Sequence, residues 1–282
     1  MPEQPMEFSL IDAFERIPVV IFPGPKDGSA LAAREIAKLI QDKAARNEYC
    51  VLGLATGSTP ISLYNELVRM HREEGLSFKN VITFNLDEYY PIDNDAWQSY
   101  NSYMHRLLFN HVDILPQNIH IPNGELSKED IKQHCAEYER LIDDAGGIDL
   151  QILGIGVNGH IGFNEPGSSI YSKTRLINLE NSTRLANAYE FANISEVPRL
   201  ALTMGIGTIM KSRRIILMAW GPSKAPVVQK AVEGNVTEQV PASLLQQHND
   251  CLFILDDAAA AELTRNKSPW LTGEIEWTEK MI

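Results

Sequence analysis

The chain has 282 residues, 44% hydrophobic and 22% charged, which is an ordinary globular composition and excludes wholesale disorder. With 25 basic and 37 acidic residues the formal net charge is −12, so nothing draws the chain as a whole toward nucleic acid or an anionic membrane. The longest apolar runs, such as 17–22 and 215–220, are far too short to span a bilayer, and the start MPEQPMEF lacks the pattern of a signal peptide. Three cysteines (Cys50, Cys135, Cys251) without C-x-x-C spacing predict reduced thiols in a cytoplasmic protein and no zinc site.

Taken in chain order, residues 30–46 predict an amphipathic helix and 50–55 a buried strand. A helix over 61–74 follows, with Pro60 at its first turn. The second strand is 81–86, and helices are expected over 99–112 and 128–144. A third strand, 149–154, and a fourth, 214–220, lead to a helix over 222–232. The fifth strand, 251–255, precedes the Ala-rich segment 257–264. Strands that read as continuous apolar runs and alternate with helices predict one α/β domain over 1–282. The expected form is a three-layer, Rossmann-like parallel sheet with helices on both faces. Residues 162–198 fit the alternation worst, being polar and weakly periodic. A lid insertion is expected there, at about 171–198. The end, WTEKMI, reads as the first turn of another helix; a longer chain and a frayed natural terminus are both open.

In a parallel α/β sheet ligands sit beyond the carboxyl ends of the strands. After the first predicted strand come Thr56, Gly57, Ser58 and Thr59, then a helix. Exposed N–H groups and the positive end of the dipole there suit a phosphate, although the spacing and Lys of a P-loop are absent. Thr59 as a simple helix cap is the alternative. The second strand runs into Asp87 and Glu88, which point in opposite directions on an extended chain. One can face a site as a base for carbon acids while the other caps or pairs, and a turn or capping Asp is the commoner use. After the third strand, GIGVNG (154–159) matches G-x-G-x-x-G, but it does not open a helix in the first βαβ unit, so a dinucleotide fingerprint is rejected. His160 and Glu165 follow in the same loop, and His is the side chain best matched to proton transfer near neutral pH. A lone His is more often structural; the four surrounding glycines and the N-E-P that follows favour function. Lys224 stands where a helix dipole disfavours a cation, as expected of a residue that meets an anion, with a solvated surface Lys as the alternative.

LGLATGSTP (52–60), VITFNLDEYY (81–90), LGIGVNGHIGFNEPGSS (153–169) and GPSKA (221–225) together resemble the glucosamine-6-phosphate deaminase family. SYNSYMHRLLFNHVDI (99–114), STRLAN (182–187) and VPRLALTMGIGTIM (197–210) extend the similarity over nearly the whole chain. The resemblance implies conversion of D-glucosamine 6-phosphate and water to D-fructose 6-phosphate and ammonium, in amino-sugar catabolism. No metal or organic cofactor is implied. The partner expected is a small amino-sugar phosphate, and a homo-oligomer is left open. The resemblance places the phosphate on Thr56, Gly57, Ser58, Thr59 and Lys224. It makes His160, oriented by Glu165, the ring-opening group and Asp87 the base between C2 and C1. Asn158 stands where some members carry an Asp in a carboxylate–His–carboxylate relay. Tyr189 stands where the family's lid commonly has an Arg for the phosphate, with Arg184 nearby as the candidate replacement. Ile177 stands where allosterically activated members have a basic residue, so activation by N-acetylglucosamine 6-phosphate is not expected. The alternatives are the galactosamine-6-phosphate enzyme, 6-phosphogluconolactonase, and a sugar-phosphate-sensing module.

Overall fold

In the computed structural model, which describes residues 14–272, the first strand lies earlier than the sequence predicts. β1 (Val19–Phe22) leads into α1 (Pro25–Ala45). That helix begins on a Pro with Asp27 in its first turn and Lys43 in its last, each matched to the macrodipole. It buries Ala33, Ile36, Ala37 and Ile40, the apolar stripe that three- and four-residue spacing creates. β2 (Cys50–Leu54), α2 (Ile61–Glu74) and β3 (Val81–Asn85) follow as expected. Gly75 stops α2 in the left-handed region at φ 73°, which a side chain would disfavour.

Then the chain departs from strict alternation. β4 (Asp87–Tyr90) follows β3 after one residue, and α3 (Tyr100–Leu107) and the short β5 (Ile119–His120) come next. α4 (Ile131–Asp144), β6 (Leu150–Leu153), β7 (Arg175–Asn178), α5 (Asn181–Asn187) and β8 (Leu200–Thr203) carry the chain through the predicted insertion. α6 (Ile206–Ile209), β9 (Arg214–Ala219), α7 (Ala225–Val232), β10 (Cys251–Asp256) and α8 (Thr264–Lys267) complete it.

Seven strands form one sheet in the order β1-β10-β9-β6-β2-β3-β5, every pairing parallel. β2 is buried at all five positions and β9 at all but its first, so both faces are covered. β4, β8 and β7 make a second, antiparallel sheet that the sequence reading lacks. Residues 175–178 are therefore the edge of that sheet. The part of the insertion free to cover a site begins after them.

Leu86 turns the chain from one sheet into the other. Its N–H donates to the Leu54 carbonyl of β2, and its own carbonyl accepts from the Met204 N–H. From β2 the chain moves outward to β3 and β5, then returns to β6 on the opposite side of β2. The reversal of strand order thus falls between the parallel neighbours β2 and β6, where open α/β sheets leave a crevice. The three cysteines are free and buried. Among the described residues no helix is long and apolar enough to cross a membrane. The readings of the start MPEQPMEF and of the end WTEKMI lie outside the described residues.

Candidate active site

A cleft lies at that crevice, lined from the carboxyl ends of β9, β6, β2 and β3 and roofed by α5. Its floor after β2 is the loop Thr56, Gly57, Ser58, Thr59. Gly57 has φ 87°, and nothing lies within 4 Å of where its Cβ would be. The N–H groups of these four residues have no hydrogen-bond partner among the described residues. The loop is held from behind through its carbonyls. Tyr103 Oη donates to Gly57 O at 2.6 Å, Trp220 Nε1 donates to Thr59 O at 3.0 Å, and Tyr64 Oη donates to Ala55 O. Pro60 is the N-cap of α2, and no side chain caps it, so Thr59 is not the cap that the alternative reading required.

Lys224 lines the same cleft, just ahead of α7, and its Nζ donates to Ile155 O at 2.6 Å. Burial lowers its pKa. A half-buried ammonium beside free backbone donors is a setting for a dianion.

Asp87 and Glu88 divide the two roles that adjacent carboxylates on a strand allow. Asp87 lines the cleft, only 5% exposed, with no hydrogen-bond donor to its carboxylate among the described residues. Burial, and then the charge of Glu88, push its pKa well above the usual carboxylate range. Glu88 turns the other way and is fully buried. Its Oε1 accepts from the N–H of Tyr89 and of Tyr100, both at 2.9 Å, and its Oε2 from the Asn101 N–H at 2.9 Å. It satisfies the first turn of α3, whose N-cap Ser99 accepts from Ser102 N. Burial pushes Glu88 up to about 7 against the pull of those three donors.

The glycine-rich loop after β6 brings in His160. A Cβ on Gly156 would lie 2.2 Å from the imidazole, so this glycine exists to admit the ring. His160 Nδ1 lies 3.4 Å from Glu165 Oε2, an ion-pair distance longer than a tight hydrogen bond. Asn158 Nδ2 donates to the same oxygen at 2.9 Å, and Thr183 Oγ1 donates to Glu165 Oε1 at 2.5 Å. Burial alone would raise the Glu165 pKa. The hydrogen-bonding and charge of His160, with the Thr183 and Asn158 donors, outweigh it and bring Glu165 to about 2. Glu165 is therefore a fixed negative charge that orients the imidazole. Gly156→Ala is expected to displace the ring and lower kcat/KM by about 100-fold, with the melting temperature nearly unchanged. Wild-type turnover in that variant would mean that the His160 position is not critical.

Asp87, His160, Lys224 and residues 56–59 thus line one cleft, while Glu165 and Asn158 do not line it and join it through His160. Arg184 does not join them. Its guanidinium donates to the carbonyls of Ile194 at 2.8 Å and Val197 at 3.0 Å, tying down the far side of the covering segment. Tyr189 does line the cleft, with Ser182, Thr183, Ala186 and Asn187 of α5 and with Tyr100. The sequence reading missed Thr183 and Tyr100 as site residues. Their motifs, STRLAN and SYNSY, were visible, but only the tertiary fold sets α5 and α3 beside the loops after β6 and β3. Among the described residues no group of three or more His, Cys, Asp or Glu is placed to hold a metal ion.

A family model described as glucosamine-6-phosphate isomerases/6-phosphogluconolactonase matches residues 24–254. A glucosamine-6-phosphate deaminase of Thermoanaerobacter sp. is 46% identical over 243 residues, 86% of this chain and 94% of that protein. One from Clostridium botulinum is 48% identical over 231 residues, 82% of this chain and 94% of the relative. A glucosamine-6-phosphate deaminase-like protein of Bacteroides thetaiotaomicron is 43% identical over 281 residues; the match spans 100% of this chain and 42% of that longer protein. Among solved structures, one described as a monomeric glucosamine-6-phosphate deaminase superposes with a TM-score of 0.84 at 46% identity, covering 87% of this chain and 100% of its own. The 6-phosphogluconolactonase of Trypanosoma brucei, with a TM-score of 0.71 at 19% identity over 89% of this chain and 99% of its own, shares the fold.

Proposed function

The chain belongs to the family of glucosamine-6-phosphate isomerases and 6-phosphogluconolactonases, and from that premise we propose that it hydrolytically deaminates D-glucosamine 6-phosphate to D-fructose 6-phosphate and ammonium. The observation that carries this reading is Asp87, a buried carboxylate with no donor among the described residues, in one cleft with His160, the partner of Glu165, and the free amides of residues 56–59. A lactone hydrolase needs a base only to activate water and takes no proton from carbon. An aldose–ketose isomerase must take one.

The 6-phosphate rests on the N–H groups of Thr56, Gly57, Ser58 and Thr59 and on Lys224. His160, held by Glu165, takes the proton of the anomeric hydroxyl and returns one to the ring oxygen, which opens the pyranose. Asp87 then removes the proton from C2 and delivers it to C1 on the same face. The C1 oxygen gains a proton as the C2 nitrogen gives one up, so the C1 aldehyde becomes a primary alcohol and the C2 amine becomes an imine. Water adds to the imine carbon, and the C–N bond breaks with release of ammonia. Burial suits Asp87 to this work, because a stronger base meets the weakly acidic C2–H on better terms. The setting is a cytoplasmic enzyme of amino-sugar catabolism, including sugars derived from N-acetylglucosamine.

The test is ammonia release from glucosamine 6-phosphate and galactosamine 6-phosphate. Fructose 6-phosphate formed in step with ammonia supports the reading. Faster turnover of the galacto epimer would transfer it to the C4 alternative, and no ammonia from either would overturn it. Lys224→Ala is expected to raise KM by about 10–100-fold for the phosphorylated sugar, the worth of one charged hydrogen bond. It should do little to the slow reaction of glucosamine itself; equal losses for both would remove Lys224 from phosphate binding.

Kinetics should be hyperbolic and indifferent to N-acetylglucosamine 6-phosphate. Ile177 shares a second, shallow pocket with Ser168, Ser169 and Arg175. It contributes no charge there, and Arg175 is already bonded to Asn164 and Ser168. A sigmoidal substrate curve straightened by that compound would refute this.

A further inference from the structure

Asn158 uses every polar function it has. Its Oδ1 accepts from the His160 N–H at 3.2 Å. One Nδ2 hydrogen goes to Glu165 Oε2 at 2.9 Å and the other to Glu180 Oε2 at 3.2 Å. Two carboxylates therefore stand on either side of a single NH2 group. Glu180 is the residue from which α5 departs, and its own N–H points back to Glu165 Oε1 at 3.3 Å. Three residues on, Thr183 reaches the same oxygen. The first turn of the covering helix is thus docked on the carboxylate that orients His160, and Asn158 and Glu180 form the outer part of that joint.

We propose that Glu180 is a positioning residue that fastens the start of α5 to the His160–Glu165 pair through the Asn158 amide, and that it makes an amide obligatory at position 158 of this chain. The inference rests on the deaminase reading for its effect on turnover, but the joint itself does not depend on it. A carboxylate at 158 has no hydrogen to give. It would set a third negative charge within hydrogen-bond reach of Glu165 and Glu180, and like charges so placed repel strongly where one of them is buried. A chain with a neutral residue at 180 escapes half of that conflict. Glu180 is exposed, so water screens its charge, but water does not replace the lost donor geometry.

The experiment compares the 282-residue chain with its N158D, E180Q and N158D/E180Q variants. In the double variant the donor and acceptor exchange places, since the amide introduced at position 180 can donate to the carboxylate introduced at position 158. N158D is expected to lower kcat/KM for glucosamine 6-phosphate by about 10–100-fold. Adding E180Q to it should recover about fivefold or more, although E180Q alone lowers activity. Backbone amide exchange across α5 is followed in parallel and requires no turnover. Exchange should speed up in N158D and slow again in the double variant. E180Q acting by the same factor on both backgrounds, in turnover and in exchange, would overturn the proposal. If the wild type released no ammonia, the functional reading would fail, while the exchange data would still decide whether 158 and 180 are coupled.

Discussion

Replacing Asp87 by asparagine is expected to abolish nearly all turnover while making the folded protein more stable. Loss of a positioned base costs about 10²–10⁴-fold in kcat, and because Asp87 is not placed to grip the phosphate, KM should change little. The stability effect follows from the raised pKa. Below 3.8 the side chain is protonated in both folded and unfolded chains, so it contributes no pH dependence. As pH rises above that value the unfolded chain ionises first, and stability falls until the native Asp87 has ionised as well. At neutral pH the wild type therefore carries a burial penalty that asparagine lacks. The variant should gain about 0.5–2 kcal/mol there, or about 2–4 °C for each kcal/mol, and gain nothing near pH 3. Thermal melts at both pH values, beside steady-state kinetics, check the two halves together. Near-wild-type kcat would remove Asp87 from the mechanism. An unchanged neutral-pH melt would show that its burial is not costly.

Glu88→Ala should do the reverse, damaging the fold first. The substitution leaves the N–H groups of Tyr89, Tyr100 and Asn101 without their acceptor and opens a cavity at a fully buried position. A lost cap, unpaired buried donors and the void together cost about 3–5 kcal/mol, or a fall in melting temperature of about 6–20 °C. The loss is largest in acid. Glu88 titrates near 7 in the folded protein against an ordinary value of 4.5, so the wild type itself loses stability as pH rises between those values, and the gap to the variant narrows. Activity should fall as well, since α3 carries Tyr100 into the cleft and Tyr103 onto the Gly57 carbonyl. A melting temperature within about 2 °C of wild type would mean that α3 does not depend on this cap.

The two neighbouring acids also mark how far a linear reading reaches. That Asp87 and Glu88 would face opposite ways follows from the two-residue period of an extended chain. Which of them faces the cleft does not follow, because the choice is made by α3, thirteen residues further on. Its unsatisfied N–H groups take Glu88 and leave Asp87 to the site. The same holds after β6. The glycines of 154–159 announced a close approach, but only the folded loop shows that Gly156 makes room for a side chain of its own segment, His160. Arg184 is the opposite case. A cation in the covering segment is a reasonable phosphate ligand on paper, yet the carbonyls of Ile194 and Val197 claim it.

By itself the sequence determined the parallel sheet. Its buried strands are continuous apolar runs and its helices carry an apolar stripe, and both are local patterns that survive without any partner in view. It also determined where the chemistry would collect, because loops after consecutive parallel strands must emerge on one edge. Tertiary structure alone decided the antiparallel β4-β8-β7 sheet, whose strands of four residues are too short and, in β7, too exposed to carry a periodic signal. It alone joined Glu180, Asn158, Glu165 and His160 across the start of α5. Those contacts depend on pairings of residues up to 22 positions apart, and no local propensity records which distant donor a buried carboxylate will find.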